Sequence, residues 1–422
     1  MGRSTGRADL PLHGGRVPQW LATRMSKLGR LITEAIVIDQ GRDAFIRKLA
    51  HPFWFQSFGA VMGMDWHSSG ITTSVMGALK RGLDPVKHEL GIYVCGGRGK
   101  QSRKTPGELR AVGERVGLDG DALGSVSRLV AKVDSAAVQD GFALYLHSFV
   151  VAADGQWTVV QQGMNGARRQ ARRYHWLSSD LKSFVDDPHV GVAGESRGTI
   201  VNLSDRRSDA NRAAALKEVA RGPDHALASI LDARRSRAPR PQPVPGLLPN
   251  LQLPAHHDVR SSDVVMRRLH AALTAAAERG PRDFETLLLT PGVGARTVES
   301  LALVAEVIHG APCRFSDPAR FSYAHGGKDG DPFPVPLRVY DQTIGTLRRA
   351  VDAARIGNAD RLAAMKRLDE HARRIEAVAK GASWDELVAR ERHRSHLYGG
   401  QTVKGPAKPP TGQRVLPGTE SS

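Results

Sequence analysis

Cysteine is scarce in this chain: Cys95 and Cys313 are the only two among 422 residues. Two thiols so far apart build neither a disulfide framework nor, by themselves, a cysteine-type zinc knuckle. Long apolar runs are missing as well. The opening, MGRSTGRADLPLH, holds no apolar stretch that would act as a secretory signal. The longest uncharged apolar run, Leu49 to Met64, carries His51, Pro52, Gln56 and Ser57, and is too short and too polar to span a bilayer. These absences lead us to expect a cytoplasmic, nucleoid-associated protein with no membrane partner. Acidic residues are in deficit: 43 Asp and Glu against 60 Lys and Arg leave a formal charge of +17. Such an excess suits a polyanion, either nucleic acid or an acidic membrane surface.

What is present is otherwise ordinary for a globular chain, with 41% hydrophobic and 24% charged residues, enough for a sizeable core. The length suits two or three domains. Residues 1–232 read as a mixed α/β (α+β) domain. Pro18 to Leu49 repeats apolar residues at three- and four-residue spacing, as a helix does. LYLHSFVV and QWTVVQQ alternate like strands around an Ala153-Asp154-Gly155 turn. Ala213 to Leu231 returns to helix. Residues 233–262 form a linker, rich in Pro and Arg between Ala233 and His257. Residues 263–396 read as an all-α domain, and 397–422 as a disordered basic tail.

The most specific signal is FETLLLTPGVGARTVESLALVAEVIHG, residues 284–310. A short helix ends at Leu289, Thr290 to Gly294 turn tightly, and a second helix runs from Ala295. The glycines permit backbone conformations that a Cβ obstructs, and Val293 can tuck into the hairpin. The turn aims amides at a helix N-terminus, a ready site for phosphate. This arrangement looks like the helix-hairpin-helix motif of DNA repair and recombination proteins, whose loop grips the sugar-phosphate backbone. On that reading Pro291, Gly292, Val293, Gly294, Arg296 and Thr297 contact DNA. The competing reading is an ordinary αα-hairpin with a Pro-Gly turn.

Other polar clusters are candidates for chemistry. In GMDWHSSGITTSV, Asp65 and His67 fall on one side of an extended strand and would share a metal. In AKVDSAAVQDGFALYLHSF, Asp134 and Asp140 are joined by His147, and Lys132 would stabilise developing charge. Arg168, Arg169, Arg172 and Arg173 recur at helical spacing as one basic stripe, with Tyr174 and Trp176 beside it to stack bases. The loop after Asp317 would present His325, Lys328 and Asp329, with Lys328, Arg320 and Arg338 extending a phosphate-binding face. YVCGGRGKQSRKTP departs from the P-loop rule, because Val94 stands where the first glycine belongs and Gln101 replaces Ser or Thr. It remains a glycine-rich basic loop suited to a nucleic-acid backbone.

Taken together, DLPLHGGRVPQWL, HPFWFQSFG, MDWHSSGITT, VDSAAVQDGF, VVQQGMN, ARRYHW, TPGVGARTVESLALVAEVIHG and DPARFSYAHGGKDG resemble one prokaryotic family, domain of unknown function 763 (DUF763). The resemblance covers residues 9 to 380, without the proline-rich arm or the tail. It implies a DNA-processing protein with a nuclease-like N-terminal part and a helix-hairpin-helix C-terminal part, acting on single-stranded or locally opened DNA.

Two functions stay open. The first is a structure-specific nuclease of repair or recombination, using Mg²⁺ or Mn²⁺ on Asp65, Asp134 and Asp140, with His67 or His147 and Lys132 as catalytic residues. Metal-free acid–base cleavage by histidines normally exploits an RNA 2′-hydroxyl, so metal-activated water is the expected route on DNA. The second is a structure-specific DNA-binding protein that recruits repair factors without catalysis; no complete nuclease signature surrounds Asp134 or Asp140. One hairpin reaches few phosphates, so a homodimer supplying a second is also expected.

Overall fold

The computed structural model describes residues 19–64, 70–168, 170–179, 181–237 and 261–321, with short pieces at 10–11, 17, 345–346, 348–349, 351–352, 364, 401–402 and 405–406. After β1 (Leu10–Pro11) comes α1 (Gln19–Ala50), with Met25, Leu28, Ile32 and Ile36 on its buried side. Gly41, at φ 86 and ψ 169, breaks its regular geometry. Then follow α2 (Pro52–Val61), α3 (Gly70–Leu83), the single turn α4 (Lys87–Leu90) and β2 (Ile92–Arg98). A 3-10 segment at Gly99–Lys104 leads to α5 (Thr105–Val116) and α6 (Gly120–Lys132). α6 passes directly into a π-helical turn, Val133–Ala137, and then β3 (Val138–Gln139).

The expected hairpin is present as β4 (Ala143–Ala152) and β5 (Trp157–Asn165). Gly155 closes its turn at φ 89, where only glycine is at ease. β6 (Gln170–Leu177), β7 (Gly191–Ala193) and β8 (Thr199–Asn202) follow, then α7 (Asp209–Ala220) and α8 (Pro223–Arg237). Beyond the proline-rich arm lie α9 (Ser261–Arg279), α10 (Phe284–Leu289), α11 (Ala295–Val307), β9 (Arg314–Ser316) and β10 (Ala319–Phe321).

The main sheet has the order β10-β7-β6-β5-β4-β2, with β1 also paired to β6. Its pairs are antiparallel except β10 with β7. Side chains alternate between the faces, so each strand feeds two cores. Ile92, Val150, Val160 and Leu177 pack against α1, α2 and α3. Tyr93, Cys95, Phe149, Val159 and Trp176 share the opposite core with apolar residues of α6 to α11. A second sheet, β3-β8-β9, lies beside this layer.

The mixed α/β expectation holds for the N-terminal region. An all-α unit beginning at 263 is not what the described residues form. Leu269, Leu273, Leu287, Leu288 and Leu301 enter the same core as Phe149 and Trp176, β9 pairs with β8, and β10 with β7. The proline-rich arm therefore joins helices of one core rather than separating two. No described helix is long and apolar enough to cross a membrane.

Candidate functional site

The polar residues of the central strands come in adjacent pairs, Gln161-Gln162 on β5 and Arg172-Arg173 on β6. In a strand, neighbours point to opposite faces. Each pair therefore seeds one buried polar cluster on either side of the sheet.

On the face of α6, the π-helical turn delivers Asp134, which is wholly buried. Its Oδ2 accepts from Trp176 Nε1 at 2.9 Å and from Gln161 Nε2 at 2.5 Å. His189 Nε2 lies 2.5 Å from Oδ1. With its amide nitrogen spent on Asp134, Gln161 turns Oε1 to His147 Nδ1 at 2.8 Å. His147 therefore donates from Nδ1 and accepts from Ser127 Oγ at Nε2, 2.8 Å away. Burial lowers the His147 pKa, while the hydrogen bond to Gln161 and the Asp134 charge work against that. The result is an oriented chain, Ser127–His147–Gln161–Asp134–His189, running between helix and sheet.

A second group shares this face. Arg172, fully buried, forks onto Asp317 and also reaches Asp140 Oδ2 at 2.8 Å and Glu195 O at 2.6 Å. Tyr174 Oη donates to Asp140 Oδ2 at 2.6 Å, and the Phe142 amide to Oδ1 at 3.0 Å. Burial raises the Asp140 pKa, opposed by Arg172 and the hydroxyl of Tyr174. The Tyr174 phenol is pushed well above its usual range by the same burial and by Asp140.

On the other face Arg173 is equally buried. Its Nε donates to His175 Nε2 at 2.8 Å and its Nη2 to Gln56 Oε1 at 2.9 Å, with the guanidinium 4.5 Å above the Phe55 ring. Burial, with Arg173 and His51 nearby, lowers the His175 pKa well below the ordinary value. Asp65 and His67, which join α2 to α3, lie outside the described residues, as do Arg169 and Lys328.

These positions correct the stripe expected at 168–173. The spacing suits a helix, but 170–177 is a strand, so Arg172 and Arg173 are split between faces and neither meets solvent. Tyr174 and Trp176 are likewise fully buried and present no surface for stacking bases. Arg168 is exposed. The donor set also suits a divalent cation poorly. Every contact above made to Asp134 comes from a nitrogen, and Asp140 is held by Arg172, Tyr174 and a backbone amide. Among the described residues no group of three or more His, Cys, Asp or Glu is placed to hold a metal.

Lys132 has a different use. Its Nζ donates to the carbonyl of Val293, so the end of α6 grips the turn between α10 and α11. Gln139 Nε2 adds a bond to Ala295 O at 3.0 Å. In this turn Val293 is buried at 1% exposure, and Gly292 sits at φ 85. Pro291, Gly292 and Arg296 are exposed and Thr297 is buried. Gly294 occupies the N-cap of α11 without a side chain to fill it, and the first turn carries no acidic residue.

Neither motif nor spacing points to Ser127 or His189. His189 lies in an irregular segment, DDPHVG, with no periodicity to assign its direction. Asp317 was visible only as the start of the quoted DPARF string.

A family model described as "Protein of unknown function (DUF763)" matches residues 6–335. No curated protein and no solved structure matches the chain. The matched stretch contains the proline-rich arm and stops short of residue 380, so its limits differ from those the motif strings implied. It also contains every residue of both buried clusters and the α10–α11 turn. By that match over most of its length, the chain belongs to the DUF763 family.

Proposed function

We propose that this protein binds the phosphate backbone of DNA through the 290–296 turn, in the manner of a helix-hairpin-helix, and does so without cutting the strand. One observation carries the reading: the turn is anchored from beneath by Val293 and Lys132, while Pro291 and Gly292 are exposed ahead of an uncapped, acid-free helix start and Arg296 is exposed within its first turn. Amides at such a helix start favour an anion, and the +17 charge supplies the long-range attraction. The occupied carboxylates of Asp134 and Asp140 support binding over metal-dependent cleavage.

Gly294→Asp is the variant that tests it. No atom lies within 4 Å of an added Cβ there, and an aspartate at an N-cap accepts from the helix amides and stabilises the helix. Its carboxylate would then occupy the position proposed for a phosphate. The expected result is unchanged or raised stability with at least tenfold weaker binding to single-stranded, duplex and bubble DNA. The wild-type affinity should fall linearly with salt on logarithmic axes. Absence of wild-type binding at 50 mM salt overturns the reading. Cleavage in Mg²⁺ or Mn²⁺, abolished by EDTA and by Asp134→Asn, would put a nuclease in its place.

A further inference from the structure

A single hairpin touches few phosphates, so firm binding needs a second contact, either from another copy of the chain or from elsewhere on this one. We infer that the exposed segment 98–104 is that second contact, and that one chain holds one DNA at two points. The inference rests on the backbone-binding reading and extends it.

Arg98, Lys100, Arg103 and Lys104 are all exposed, and no acidic residue interrupts RGKQSRK. The segment is built rather than loose. Gly97 and Gly99 take positive φ of 137 and 60, Ser102 Oγ donates to Gly99 O at 2.6 Å, and Thr105 Oγ1 to Ser102 O at 2.7 Å. The next carboxylate along the chain, Glu108, is spent internally on Lys80 Nζ at 2.7 Å and on the amide of Gly96 at 2.7 Å. It does not neutralise the four cations, none of which has an ion-pair partner among the described residues.

The placement suits a shared ligand. α5 and α6 pack closely, with Gly124 of α6 set against Pro106 at the start of α5. From there α6 runs on for two further turns, about 12 Å, to Lys132 and the hairpin it grips. Exposed Arg128 lies between. Strand register brings a further cation to the same end of the sheet: Arg98 pairs with Leu146 near the start of β4, and Ala143 with Met164 just before the β5–β6 turn that carries exposed Arg168. The 98–104 segment thus leads into the start of α5 beside the middle of α6, the hairpin is held at the C-terminal end of α6, and Arg128 is exposed between them.

The test compares full-length wild type with K100E/R103E/K104E on a labelled duplex over a range of salt. The control is K27E/K217E/R235E, which makes the same charge change at exposed residues of α1, α7 and α8. We expect the loop variant to bind at least tenfold more weakly at 100 mM salt, with the logarithmic salt slope shallower by about 2 to 3. The control should keep the wild-type slope, and wild type should bind one chain per site. An unchanged slope in the loop variant, or an equal loss in the control, overturns the inference while leaving the hairpin reading intact. Two chains per site with an unaffected loop variant returns the second contact to a dimer. Failure of wild type to bind any DNA removes both readings together.

Discussion

Arg172 and Asp317 are 145 positions apart in the chain and meet as a fork, Nη1 to Oδ1 at 2.9 Å and Nη2 to Oδ2 at 2.7 Å, with both side chains at 0% exposure. Asp317 precedes β10, so the pair fastens the last strand of the main sheet to its centre. Removing one partner from a buried pair leaves a charge uncompensated, which costs about 3–5 kcal/mol. Arg172→Met should lower unfolding free energy by that amount in a urea titration, because it strands Asp140 as well. Asp317→Asn should cost less, and the two changes should couple by about 1–3 kcal/mol rather than add. Losses under about 1 kcal/mol in both singles would show that the fork does not hold the strand.

Acid should weaken the fold early. His51, His147 and His175 all have pKa values lowered from 6.5, in each case first by burial. The folded protein therefore keeps them neutral where the unfolded chain binds protons, and stability rises with pH across that interval. Their contribution is complete above pH 6.5 and is lost as pH falls below it. Each histidine contributes a slope of up to about 1.4 kcal/mol per pH unit. Urea midpoints between pH 7.5 and 5 should fall, and His147→Gln should flatten the dependence even if it lowers stability at pH 7.5. A midpoint independent of pH over that range would contradict the neutral, buried assignment.

How much of this was legible beforehand depends on where polarity sits. LYLHSFVV could be assigned to a strand because its apolar alternation survives around His147. The 284–310 hairpin was legible because Pro291, Gly292 and Gly294 punctuate two apolar helical faces. ARRYHW was misread because both faces of β6 are polar or aromatic, which removes the period-two signal and leaves arginines whose spacing happens to fit a helix. The expected break at the proline-rich arm failed for another reason. Local composition marks the arm, but Leu273 and Leu301 beyond it pack with Phe149 and Trp176 before it, and no local pattern encodes that meeting. Lys132 was identified as important from its neighbours, while its real partner is a carbonyl 161 positions away.

Gly96 should be intolerant of even one methyl group. It sits in β2 at φ 83, and an added Cβ would lie 2.3 Å from His147 O and 2.4 Å from Thr105 Oγ1. The first of these is backbone of the neighbouring strand and has little room to give. Gly96→Ala combines that overlap with the strain of a left-handed alanine, each costing about 1 kcal/mol or more. We expect a loss of about 2–4 kcal/mol in urea unfolding. Gly107→Ala, on α5 with open space around it, should change stability little. Equal effects from the two substitutions would remove the steric explanation.

Lys132→Met separates the two roles this residue can be given. Its Nζ donates to Val293 O at the turn, and burial lowers its pKa. A lysine that positions the turn acts on binding: without it the Val293 carbonyl loses its partner and the outward face of Pro291 to Arg296 loses its support. The expected outcome is a modest loss of stability, about 1–2 kcal/mol, with weaker DNA binding and an unchanged salt slope, because Lys132 itself touches no phosphate. Lys132→Arg keeps a donor on a long stem and should recover part of the affinity. A lysine acting on a scissile phosphate predicts the reverse, with binding kept and strand cutting lost. Measuring affinity, salt slope and cutting on the same three proteins decides between them. A Lys132→Met protein that binds like wild type would show that the grip on Val293 does not shape the binding surface.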